Sequence, residues 1–250
     1  MDGLKYDHRL HLYTFNGKLV TGVTSALKLF SPDAETLEKW IANTAVKRYT
    51  KEIKKTKEKP KYKEIEAVAK EEPARLRDEA GERGTEVHDR FAVHAQKAIK
   101  ETRGLIGGRV RDTNEEVNAL LKLFRAEKIR ILESERIVFS PEYWYAGRLD
   151  ILIKYQKKIF VVDIKTGSIR DRKPFAQTAA YAFALKEAGE SVDYTMVICT
   201  KKVKDRRVKK VIPEEDIQVS KNIRRDFELF KACLAVYRNI GLDKKVHDKE

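Results

Sequence analysis

At 250 residues, 42% of them hydrophobic, the chain is long and apolar enough to bury a real core, and it reads as soluble and globular rather than disordered. Its 53 lysines and arginines against 39 acidic residues give a net charge of +14, which suits either a surface that attracts polyanions, nucleic acid first among them, or the Lys/Glu coat of a heat-adapted protein. Cys199 and Cys233 alone cannot build a disulfide framework or a four-cysteine zinc or iron–sulfur site, and with no apolar run of about 18 residues and no apolar core after Met1 a cytoplasmic, non-membrane protein is expected.

Residues 10–21 alternate polar and apolar around Asn16-Gly17, a two-residue turn signal that predicts an opening β-hairpin. Ser31-Pro32 then reads as a helix cap with proline at the first helical position, and Leu37, Trp40 and Ile41 as the buried stripe of that helix. Between Lys47 and Lys63 stand nine basic and two acidic residues with almost no apolar pattern: a linker, a basic arm or a solvated helix face. A second helix is expected from near Arg83 through Phe91 to about Lys100, ended by Gly104, Gly107 and Gly108. Thr113 and Glu116 have capping-box spacing before Val117, Leu120, Leu121 and Phe124, which recur at helical intervals.

Three runs rich in β-branched and aromatic residues follow, at 135–140, 145–154 and 158–165, each a strand. Pro174 opens a helix that closes at Gly189, a strand covers 192–200, and a basic segment holds seven Lys or Arg and one Asp between Lys201 and Lys210. Ser220 opens a last helix with Ile223, Phe227, Phe230, Leu234 and Tyr237 inward. That order implies an α/β fold with a mixed central sheet flanked by helices.

The run from Ile159 to Gly167 embeds Asp163 and Lys165 in an apolar strand, two positions apart and hence on one face. Buried charges need a reason: a mutual ion pair, an exposed edge, or a site where an ion and a substrate satisfy them. Gly147-Arg148-Leu149-Asp150 puts another carboxylate inside the preceding apolar strand. With Gln156 and Lys157 as a two-residue hairpin loop, Asp150 falls opposite Asp163. Opposed carboxylates repel unless a cation lies between them, and Mg²⁺ or Mn²⁺ suits this oxygen-rich pair, with Lys165 beside it to orient water or stabilise phosphate charge. His88 is either a core histidine near Phe91, Ala92 and Ala95 or a nitrogen ligand of the same ion; Gln177 and Tyr181, four apart on a helix, either pack in the core or brace the site and the substrate.

Gly84-Thr85-x-x-His88, Gly147-Arg148-Leu149-Asp150, Asp163-Ile164-Lys165-Thr166-Gly167 and Gln177-x-x-x-Tyr181, in that order, resemble the PD-(D/E)XK nuclease superfamily, and within it the RecB-like exonucleases of phage, viral and mitochondrial genome-maintenance type. The resemblance implies a restriction-endonuclease-like core over 81–250, joined in one globule by an N-terminal hairpin and helical extension over 1–80. It further implies that His88, Asp150, Asp163 and the backbone carbonyl of Ile164 bind Mg²⁺ or Mn²⁺, that Lys165 positions the attacking water, and that Gln177 and Tyr181 support the site or contact DNA. Leu149 stands where the superfamily's eponymous proline would be, and the cysteine count leaves no room for the iron–sulfur cluster of some relatives. The implied activity is DNA hydrolysis in replication, recombination or repair. Its implied partners are DNA that is single-stranded or has free ends, and a recombinase or single-strand-binding protein.

Overall fold

The computed structural model describes residues 3–7, 9–10, 12–30, 34–56, 60–167, 169, 171–200, 212 and 216–241. Contacts divide the chain into two compact units, Met1–Phe30 with Val87–Glu250, and Ser31–Glu86. The opening hairpin belongs to the larger of these units because it joins the main sheet directly.

In the large unit the described residues form one eight-stranded sheet. Its strands are β1 (Leu4–Asp7), β2 (Leu12–Phe15), β3 (Lys18–Gly22), β4 (Arg130–Ser140), β5 (Tyr145–Tyr155), β6 (Lys158–Lys165), β7 (Tyr194–Cys199) and β8 (Ile217–Ser220). The predicted hairpin is β2–β3, with Asn16 and Gly17 both at positive φ (49° and 76°) as its turn demands. The four-residue β1 was too short to read from alternation, and β4 begins five residues before the predicted strand.

Long β5 organises the sheet. Antiparallel β4 runs along one edge of it from Tyr145 to Lys154. The other edge is shared: parallel β3 pairs at Tyr145 and Ala146, and antiparallel β6 pairs from Ile151 to Tyr155. Between those partners lies Gly147-Arg148-Leu149-Asp150, a fork in the sheet where the edge of β5 carries no ladder among the described residues.

Helices cover both faces of the sheet, as the fold class required. Against one face pack α1 (Val23–Ala26), α5 (Lys173–Glu187) and α6 (Ile223–Asn239), with Ala180, Tyr181, Phe227 and Phe230 meeting Tyr145, Leu152 and Val161. On the other face Val87, Phe91 and Ala95 of α3 (Tyr62–Thr102) and Val117, Leu121 and Phe124 of α4 (Glu115–Ala126) meet Ile151, Ile153, Val162 and Ile164. Two predicted caps shift. Asn114, not Thr113, caps α4, its side chain accepting from the amides of Glu116 and Val117. Asn222, not Ser220, caps α6, because Ser220 is the last residue of β8, paired with β7. Tyr237 is only partly buried.

The small unit consists of α2 (Ala34–Lys55) and the first half of α3. The Ser31-Pro32 cap lies outside the described residues, as do positions 57–59 and 201–211. Leu37, Trp40 and Ile41 are not a buried stripe; they remain 41%, 39% and 43% exposed. A stripe is buried only where an apolar surface faces it, and the only buried residues described in this unit are Ala69 and Pro73. Of the three readings of the basic run, Lys47 to Lys55 is a solvated helix face. Helix α3 also begins some twenty residues earlier than predicted. Its first half has no apolar period and carries i,i+3 and i,i+4 ion pairs instead, Glu66–Lys70, Glu72–Arg75 and Arg75–Glu79 among them. No helix among the described residues is long and apolar enough to cross a membrane.

Candidate active site

The fork in β5 gathers the charged residues of the sheet. The β5–β6 ladder runs from Tyr155↔Lys158 to Ile151↔Val162, the register predicted from the two-residue loop, and one further step along it sets Asp150 against Asp163. The loop is Gln156-Lys157, both at positive φ (48° and 66°), so the turn forms without the usual glycine or asparagine.

Asp150 Oδ2 accepts a hydrogen bond from the Ile164 amide at 2.8 Å and lies 3.4 Å from His88 Nδ1. In a strand the N–H and C=O of one residue leave on the same edge, so the Ile164 carbonyl also faces β5. Asp163 is 1% exposed; its Oδ1 accepts from Lys165 Nζ at 2.7 Å, while its Oδ2 is buried with no hydrogen-bond partner among the described residues.

These groups titrate as a set. Burial lowers the pKa of His88, but its hydrogen bond to Asp150 and the charges of Asp150 and Asp163 outweigh that and raise it to about 9. Burial raises Asp150, yet His88, Lys165 and the Ile164 amide bring it below its ordinary value. For Asp163 burial dominates and the Asp150 charge adds to it, against Lys165, so its carboxyl is pushed up to about 6. Lys165 is held charged: burial disfavours its ammonium, but Asp163 and Asp150 raise its pKa further than burial lowers it.

Helix α5 supports the fork from below. Gln177 and Tyr181 are both buried, with Gln177 Nε2 donating to Tyr181 Oη at 3.1 Å. A Cβ at Gly147 would come within 2.5 Å of the Tyr181 ring, so the ring packs directly under the glycine of the fork. Lys173 lies one turn before Gln177 on the same helical stripe, and burial, with the nearby Lys165 charge, lowers its pKa. The structure thus brings His88, Asp150, Asp163, Ile164 and Lys165 to the fork and sets Gln177 and Tyr181 beneath it.

Sequence reasoning passed over Glu135. It stands in β4 between the pairs Ser134↔Ile151 and Arg136↔Leu149, hence opposite Asp150. One ligand-type atom each from His88, Glu135 and Asp150 lies within 4.8 Å of the others. Arg148 Nε meets Glu135 Oε2 at 2.9 Å, and burial raises the Glu135 pKa. The signal that would have found it is the register of β4 on β5, which sequence does not carry.

An imidazole nitrogen, clustered carboxylates and a buried carboxylate oxygen without a partner among the described residues form a donor set that fits a divalent cation. The family model of the PD-(D/E)XK nuclease superfamily matches residues 44–239. No curated protein matches the chain.

Proposed function

The chain belongs to the PD-(D/E)XK nuclease superfamily, and from that premise we propose that it is a Mg²⁺- or Mn²⁺-dependent deoxyribonuclease of the RecB-like kind, hydrolysing DNA from an end in replication, recombination or repair. The observation that carries the reading is Asp163, which gives one oxygen to Lys165 and keeps the other buried and unpartnered next to Asp150. An ion pair alone would not leave that second oxygen desolvated, at a cost of about 1–3 kcal/mol.

His88, Asp150, Asp163 and the Ile164 carbonyl would hold the ion. Bound there, it would supply Lewis acidity to the attacking water and the scissile phosphate. Lys165, kept protonated by Asp163 and Asp150, serves as a donor rather than a base: it fixes the water by hydrogen bonding and offsets negative charge that develops on the phosphate. Gln177 and Tyr181 brace the fork. Exposed Lys47, Lys51, Lys54 and Lys55, lining one hollow along α2, supply positive charge for gripping phosphates, and the sequence adds seven Lys or Arg between Lys201 and Lys210. A recombinase or single-strand-binding protein would deliver the DNA.

Incubation of 5′-labelled and 3′-labelled linear DNA and closed circular DNA with Mg²⁺, Mn²⁺ or chelator tests this. Shortening of linear DNA from an end, sparing of circles and loss of cleavage in Lys165→Ala with DNA binding retained are expected. Cutting by Lys165→Ala at the wild-type rate overturns the assignment of the lysine. Cutting of closed circles overturns the exonuclease reading in favour of an endonuclease, and absence of any metal-dependent cleavage by the wild type leaves a DNA-binding module.

A further inference from the structure

Glu135 has a backbone that its strand does not require. Among the described residues it is the one non-glycine residue inside a strand with positive φ, +57°. For a residue with a Cβ that conformation costs on the order of 1–2 kcal/mol, and a cross-strand ion pair with Arg148 can be made from ordinary extended backbone. The carboxylate so placed has its ligand atom within 4.8 Å of those of His88 and Asp150, each offered by a different element: α3, β4 and β5. Two carboxylates at that range repel unless a cation or a proton joins them. A separate observation points to a ligand in the same fork, namely the buried, unpartnered Oδ2 of Asp163 opposite Asp150.

We propose that Glu135 is a further protein ligand of the divalent cation, acting with His88 and Asp150, and that Arg148 aims its carboxylate; this rests on the reading of His88 and Asp150 as cation ligands. The site then draws its carboxylates from three neighbouring strands, β4, β5 and β6. Glu135 adds a negative charge to the cradle, so it strengthens cation binding in the absence of any DNA.

The test is direct binding of Mn²⁺ to the full chain, read from the electron paramagnetic resonance of the free ion, with the melting temperature of the chelator-treated protein measured alongside. Glu135→Gln keeps the size of the side chain and an oxygen for Arg148, and is expected to weaken Mn²⁺ binding by about tenfold or more. Glu135→Gly is favoured by the positive φ, so it should melt no lower than the wild type and still show the weakened binding. If both variants bind Mn²⁺ within about twofold of the wild type while Asp150→Asn does not bind, Glu135 is only the partner of Arg148 and the inference fails alone. If Asp150→Asn binds Mn²⁺ as the wild type does, the proposed nuclease site fails and this inference with it.

Discussion

The Ile164 amide donates to Asp150 Oδ2 at 2.8 Å, beyond the last pair of the β5–β6 ladder by one residue on β5 and two on β6. A side chain has taken the place of the next ladder bond, and the ladder ends there, with Asp150 and Asp163 the next residues of the two strands. A cation in that gap binds the folded chain and not the unfolded one, so it stabilises the fold by mass action. At a hundredfold excess over its dissociation constant the gain is about 2.7 kcal/mol, and each kcal/mol raises the melting temperature by about 2–4 °C at this size. Mn²⁺ added to chelator-treated protein should therefore raise the melting temperature by several degrees, and the rise should vanish in Asp150→Asn and Asp163→Asn. A thermal scan with and without the ion measures it. Equal shifts in wild type and both variants would place the ion elsewhere.

The turn that sets this register is built from residues ill suited to it. Gln156 and Lys157 both adopt left-handed backbone, at φ 48° and 66°, where Asn-Gly is the favoured pair. Gln156→Asn with Lys157→Gly should raise stability by about 1 kcal/mol, close to 2–4 °C in melting temperature, without altering the Mn²⁺ dissociation constant. Denaturant unfolding of the double variant decides the matter: a fall in stability would show that the loop is not this two-residue turn.

The same turn shows what sequence can and cannot carry. Asp150 and Asp163 were visible because each interrupts an apolar strand, and their opposition followed from counting outward from a two-residue loop. Counting fails for Glu135. β4 slips by one residue on β5 between Ile131 and Glu133, so its partner cannot be found by alternation, and nothing in Glu133-Ser134-Glu135-Arg136 announces a left-handed backbone. The first half of α3 was invisible for the opposite reason: it buries almost nothing, so no apolar period marks it. Leu37, Trp40 and Ile41 misled because a stripe at helical spacing says that a face could be covered, not that it is.

Gly147 and Tyr181 come from two separate motifs and pack as one. An added Cβ at Gly147 would lie 2.5 Å from the Tyr181 ring and 3.1 Å from a methyl of Val23. Overpacking of this kind costs about 1–3 kcal/mol. Gly147→Ala must lift β5 or turn the tyrosine away from its bond with Gln177, so a lower melting temperature and a slower cleavage rate should appear together. Tyr181→Phe removes only the hydroxyl and should restore neither in the double variant. A Gly147→Ala protein with wild-type stability and rate would show that the ring does not lie under the fork.

Further along α3 from His88, the carboxylate of Asp112 ties the loop before α4 to that helix. It accepts from Arg90 Nε, from the Asn114 amide and, at its other oxygen, meets His94 Nε2, each at 2.8 Å. Burial pushes its pKa up, but the Asn114 amide, His94 and Arg90 together bring it down from 3.8 to about 2. A carboxyl whose folded value lies below its unfolded one stabilises the fold in full above the unfolded value, and loses that contribution as pH falls through the folded one. The contribution of Asp112 is therefore complete at neutral pH, begins to fall below about pH 4 and is gone below about pH 2. Asp112→Asn keeps an acceptor but no charge, so it should unfold more easily than the wild type at neutral pH by about 1–2 kcal/mol. That difference should narrow on acidification from about pH 5 to about pH 3, because only the wild type has this charge to lose. Urea unfolding of both proteins in chelator across that range gives the comparison free of any bound ion. A difference that stays constant with pH would mean that the ionised carboxylate of Asp112 does not hold the loop.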